Sequence, residues 1–205
     1  MGIVELLGLA GSVSLLSGWR LYLTIFVTGA TMKTGVIDVP HNLEVLGILA
    51  NPWILGVSFV GTIAEFFADK VAWLDSIWDG VHSLIRPLGG ALLALAVVDA
   101  QDPVWQVLTF LLGGGAAFVS HGAKSSARAV VNTSPEPVSN MVVSTGEDVA
   151  TGGLLFLAFT NPVAAIIVAA FLFTLCLSTL YLVRRLWKRM QQSGAKVGLS
   201  SEKGN

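Results

Sequence analysis

Two acids, a histidine and an arginine stand on one stripe of a helix: Asp75, Asp79, His82 and Arg86 are spaced i, i+4, i+7 and i+11. Glu65 and Asp69 form a shorter acidic stripe just upstream. His121, Lys124, Arg128 and Asn132, at i, i+3, i+7 and i+11, form a second stripe that is basic. Arg20 and the pair Glu147-Asp148 each stand alone in the middle of an apolar run. Acids and histidines so placed can exchange protons, hold a cation or ligate a divalent metal; the bases set the local potential or hold an anion.

The surroundings decide what such chemistry would cost. Of the 205 residues, 54% are hydrophobic and only 12% charged, against about 25% charged in a soluble domain. Mean hydropathy is +0.74. A water-soluble enzyme and a disordered chain are both excluded, and a net charge of -1 gives no field for nucleic acid. The chain reads as an integral membrane protein with the lipid bilayer as its first partner.

A bilayer core needs about 20 apolar residues of helix. Five regions reach that length: 3–32, interrupted at Ser17-Gly18-Trp19-Arg20; 45–67; 104–120; 141–159; and 163–186. The run 3–32 is too long for one upright helix, so it is tilted or broken near Gly18. Asn51-Pro52, Asp102-Pro103 and Asn161-Pro162 each pair an N-cap residue with proline at the first helical position. Between Pro87 and Asp99 the apolar stretch covers only 88–98, so a sixth span there must carry the polar segment from Asp75 into the membrane. That region and the one holding Glu147-Asp148 read as interrupted or re-entrant helices beside a polar cavity. The expected fold is all-α: a polytopic bundle of about six spans, two of them interrupted, with pseudo-symmetric halves suggested by the repeated proline starts. Residues 1–190 form one transmembrane domain and 191–205 a flexible tail.

Six of the twelve Lys and Arg residues lie from Arg184 onward, which puts the C-terminal end in the cytoplasm. Six spans would bring the N-terminal end to the same side. The lone cysteine, Cys176, sits in an apolar run and reads as a buried hydrophobe.

Charges in hydrocarbon cost several kcal/mol each unless paired or hydrated. The two stripes therefore either pair as a structural lattice, line a hydrated pathway, or do both. Asn132-Thr133-Ser134-Pro135-Glu136-Pro137, followed by Ser139 and Asn140, ends the second stripe; as more than a turn, its hydroxyls, amides and free backbone groups could coordinate an ion or an anionic headgroup there. A divalent metal held by Asp75, Asp79 and His82 with Glu65 or Asp69 is the sharpest chemical alternative. No HExxH, P-loop, GxSxG or CxxC motif accompanies it.

Two blocks carry a resemblance. Glu65-Phe66-x-Ala68-Asp69-Lys70-x4-Asp75-x3-Asp79-x2-His82-x3-Arg86-Pro87-x-Gly89-Gly90-Ala91 is the first. His121-x2-Lys124-x3-Arg128-x3-Asn132-x-Ser134-Pro135-Glu136-Pro137-x-Ser139-Asn140-x6-Glu147-Asp148 is the second. Both resemble a bacterial membrane family designated domain of unknown function 4126, in which proline is usual where this chain has Ala72. The resemblance implies a polar centre common to the family and a bacterial inner membrane, and brings no established activity.

The leading expectation is a small transporter or ion pathway, with proton coupling as one form. Asp79, His82, Glu147 and Asp148, joined by Glu65, Asp69 and Asp75, would be its exchangeable or ion-binding groups. Arg20, Arg86, His121, Lys124, Arg128, Asn132, Glu136 and Asn140 would shape the potential and meet the substrate, a small ion or molecule. No cofactor is expected beyond the metal alternative, and a second copy of the chain is a candidate partner. The competing readings are an intramembrane metal enzyme acting on a lipid or prenyl substrate, and a non-catalytic scaffold; a non-enzyme is favoured.

Overall fold

Proline opens four helices of the computed structural model, which describes residues 3–36, 41–99, 101–131 and 137–202. At three of them the preceding residue caps the helix as its sequence requires. Asn51 Oδ1 accepts from the Trp53 backbone N–H at 2.9 Å, Asp102 Oδ1 from Val104 at 2.7 Å and Asn161 Oδ1 from Ala164 at 3.0 Å. The elements in order are α1 (Ile3–Thr34), a 3-10 helix (His41–Ala50), α2 (Pro52–Ala68), α3 (Ala72–Val98), α4 (Pro103–Val131), α5 (Pro137–Thr160) and α6 (Pro162–Glu202). All are helical, as expected. Five of these helices are long and apolar enough to cross a membrane, and α2, with 17 residues, is shorter.

Close contacts fix how the helices run. Ser14 Oγ donates to the Gly90 carbonyl at 3.0 Å, and Leu7 shares a cavity with Val98, so α1 and α3 are antiparallel. Gly90 and Ala94 face Ala117 and Gly113, making α3 and α4 antiparallel too. Gly8 lies against Ile166, and Ser12 and Leu16 against Leu172, so α1 and α6 are parallel. The start of α1 and the end of α6 therefore lie at opposite ends of the bundle. Six crossings would instead bring these two ends to one side. Beyond Arg20, α1 packs against α2 through Tyr22 on Gly61 and Phe26 on Phe59, their rings 5.3 Å apart.

The apolar core joins Leu9, Val13 and Leu16 of α1 to Leu93 and Val97 of α3, Leu155 of α5 and Leu46 of the 3-10 helix. Outward faces carry Ile167, Phe171, Leu84, Leu92 and Leu112, all exposed as membrane-facing residues are.

The interruptions fall elsewhere than expected. Both α3 and α5 are unbroken; the polar half of α3 finds partners on α4, α2 and α1 and needs no break. The break is in α1, where Arg20 leaves helical geometry at φ -141° and ψ 74°. Of the two expectations for 3–32, a break near Gly18 is the one met. Helix α6 is described through Glu202, into the stretch expected as a tail.

Candidate functional site

The break at Arg20 frees main-chain carbonyls from the α1 ladder inside the bundle, where they must find donors. Lys124 of α4 supplies one, its Nζ donating to the Trp19 carbonyl at 3.1 Å. Gly18, two residues ahead of the break, permits this approach: a Cβ there would lie 2.3 Å from the Ala117 carbonyl oxygen of α4.

Asp69, in the turn between α2 and α3, is the hub of the first half of the site. Its Oδ2 pairs with Arg20 Nη1, with Arg128 Nη2 at 3.2 Å and with Lys124 Nζ at 3.4 Å. Its carbonyl accepts from Arg128 at 3.0 Å. Arg128 also reaches Asp75 at 3.4 Å. Arg20 extends the network to α5, meeting Glu147 at 3.2 Å, Asp148 at 3.0 Å, and both the hydroxyl and the carbonyl of Ser144 at 3.0 Å.

Arg86, fully buried on α3, organises the second half. It meets Glu65 of α2 at 2.5 Å, Asp79 at 3.0 Å and Nδ1 of His121 at 2.6 Å. Ser125 completes Asp79, donating to its Oδ2 at 2.8 Å. His82 stands apart from the acids. Its Nδ1 donates to the Trp78 carbonyl at 2.7 Å, its ring stacks on Trp78 with centroids 4.4 Å apart, and Nε2 faces the Tyr22 hydroxyl at 3.1 Å.

The described acids and bases of the two stripes thus gather in two neighbouring clusters that together make the network, one around Asp69 and Arg20 and one around Arg86, while His82 turns to Trp78 and Tyr22. Asn132 and Glu136 lie outside the described residues, as does the side chain of Asn140. Sequence reasoning missed Tyr22, Ser125, Ser144 and the Trp19 carbonyl. Ser125 alone had a visible signal, standing four residues after His121 on the charged face of α4. The grouping expected for a metal is not formed: Asp75, Asp79 and His82 turn to different partners, and no three His, Cys, Asp or Glu side chains among the described residues converge to hold an ion.

Charge does not balance in this network. Among the described residues, six carboxylates (Glu65, Asp69, Asp75, Asp79, Glu147 and Asp148) face the four cations Arg20, Arg86, Lys124 and Arg128, with Lys70 acting on Asp69 and Asp148 from nearby. Glu65 Oε2 and Asp69 Oδ1 are buried with no hydrogen-bond partner among the described residues. A polar cleft of 290 Å³ between α3 and α4, lined by Asp75, Asp79, Ser83, Ser125 and Arg128, opens onto the network.

The sequence model of the family described as Domain of unknown function (DUF4126) matches residues 7–181. The chain belongs to this family. The DUF4126 match runs from the first turns of α1 into α6 and includes every charged group of the network, while the basic cluster from Arg184 lies beyond it. No curated protein and no solved structure matches the chain.

Proposed function

We propose that this DUF4126 protein is a small cation pathway or transporter of a bacterial inner membrane, proton-coupled, with its C-terminal end cytoplasmic. The observation that carries the reading is the carboxylate excess around the break in α1. Acids outnumber cations around this break, so the site favours taking up positive charge as a proton or another cation. A broken helix beside such a cluster is a recurrent way to give an ion carbonyl and carboxylate partners at membrane depth. Asp79 has the access this role needs, since it both lines the polar cleft and touches Arg86. Arg86 and Glu65 then link the cleft side to the α1–α2 side, and Arg20 links Asp69 to Glu147 and Asp148.

Solid-supported-membrane electrophysiology on reconstituted protein tests this, with steps of pH and of monovalent and divalent cations. A transient current that Asp79→Asn abolishes, with the variant still folded, supports the pathway. Undiminished current in the variant removes Asp79 from it.

A scaffold is the second reading, favoured by the density of direct ion pairs, above all the three cations on Asp69. It predicts that the parent and Asp79→Asn both fold and that neither carries an ion-dependent current.

A further inference from the structure

On the side of the network away from the polar cleft, a groove of 570 Å³ opens to the apolar outer surface between α1, α2 and α5. Leu23, Ile63, Phe66, Phe67 and Gly152 line it, and the one charged group in its wall is Asp148. The groove is otherwise suited to hydrocarbon, and Phe66 and Phe67 meet edge to face with centroids 5.6 Å apart.

Asp148 is under-compensated there. Its side chain keeps a quarter of its surface exposed, and its ion-pair partner is Arg20 Nε at 3.0 Å. That guanidinium carries a single charge and also serves Asp69 and Glu147. Lys70 adds a through-space attraction to Asp148 without pairing with it directly: its ammonium sits over the Phe66 ring at 3.1 Å and donates to the Phe66 carbonyl at 3.2 Å. A carboxylate facing an apolar groove is costly unless positive charge comes to it.

We propose that this groove binds a lipophilic organic cation that enters from the bilayer. Its apolar groups lie against Leu23, Ile63 and the two phenylalanines, and its charge lies beside Asp148. The exposed Phe67 ring adds to the attraction, since rings favour a cation held over them, whereas the Phe66 ring already carries Lys70. The inference builds on the cation pathway by naming a ligand class that reaches the network laterally, through Asp148 and Arg20, rather than through the polar cleft.

Two ions of matched shape and opposite charge provide the test. Binding of tetraphenylphosphonium and of tetraphenylborate to the protein in zwitterionic nanodiscs is measured by equilibrium dialysis against empty nanodiscs. Asp148→Asn and Gly152→Trp are compared with the parent. A Cβ at Gly152 meets no atom within 4 Å, so a large side chain can start from there into the groove it lines.

The expected result is saturable, near-stoichiometric binding of the phosphonium alone, weakened about tenfold or more by Asp148→Asn and abolished by Gly152→Trp. Equal binding of the two ions, or parent-like binding in both variants, overturns the proposal and leaves the groove as a seat for a neutral lipid chain. Should Asp148→Asn fail to fold, Gly152→Trp decides alone. Binding does not require flux, so the two readings fail separately. Phosphonium binding without any ion-dependent current refutes only the pathway, and current without binding refutes only the groove.

Discussion

Arg86 Nη1 and His121 Nδ1 lie 2.6 Å apart inside the bundle. A guanidinium can only donate, so Nδ1 must accept and the ring proton belongs on Nε2, which faces the Asp79 carbonyl at 3.2 Å. His82 is arranged in the opposite sense. The Trp78 carbonyl can only accept, which places the proton on Nδ1 and leaves Nε2 to accept from the Tyr22 hydroxyl.

These two histidines should therefore be opposite tautomers. Nitrogen-15 NMR of histidine-labelled protein at neutral pH is expected to show one ring protonated on Nε2, lost in His121→Gln, and one protonated on Nδ1, lost in His82→Gln. An imidazolium signal that vanishes with His121→Gln would mean that Arg86 and His121 do not make this contact.

Asp69 and Asp79 predict unequal variants. Asp69 is fully buried and meets Arg20, Lys124 and Arg128, so Asp69→Asn leaves three cations short of their common anion. Breaking a buried pair this way costs roughly 3–5 kcal/mol. Asp79→Asn is milder, because Arg86 keeps Glu65 at 2.5 Å and the new amide can still accept from Ser125. Thermal unfolding in detergent should show a large loss for Asp69→Asn and a small one for Asp79→Asn. The reverse order would mean that Asp69 is not the hub.

Much of this network was legible because helical spacing is a strong constraint. Asp75, Asp79 and Arg86 could only share a face of α3, and His121, Lys124 and Arg128 a face of α4; two opposite faces of charge in an apolar chain must find each other. What spacing could not give is which acid meets which base. Asp69 takes the centre only because the α2–α3 turn aims it at the break in α1, and that is set by tertiary packing. Pro87 and Glu147 marked polar or irregular points without breaking their helices. A proline needs only a local loss of one hydrogen bond, and Glu147 has Arg20 to turn to. His82 misled most, since it shares the acidic stripe yet is satisfied by Trp78 and Tyr22.

Backbone proximity gives a further prediction. At Gly18 any side chain meets the Ala117 carbonyl of α4, whereas at Gly11, on the same helix, a Cβ meets nothing within 4 Å. Gly18→Val should force α1 and α4 apart, at a cost of about 1–3 kcal/mol, and loosen Lys124 from the Trp19 carbonyl. Gly11→Ala should be neutral or slightly stabilising. Equal melting temperatures for the two variants would contradict the close α1–α4 crossing.

The parallel course of α1 and α6 carries the last prediction, on membrane sidedness. Gly8 faces Ile166 near the start of both helices, so their far ends point the same way and the start of α1 lies across the membrane from the end of α6. The basic cluster Arg184, Arg185, Lys188 and Arg189 favours the cytoplasm for that end. The native thiol, Cys176, is only 3% exposed and can be removed as Cys176→Ala without opening a polar site. In that background Val4→Cys and Gln191→Cys, both exposed positions, should react with a membrane-impermeant maleimide from opposite faces: Val4→Cys in intact cells, Gln191→Cys only in inverted vesicles. Labelling of both from one face would require an even number of crossings and would overturn the helix arrangement around Arg20.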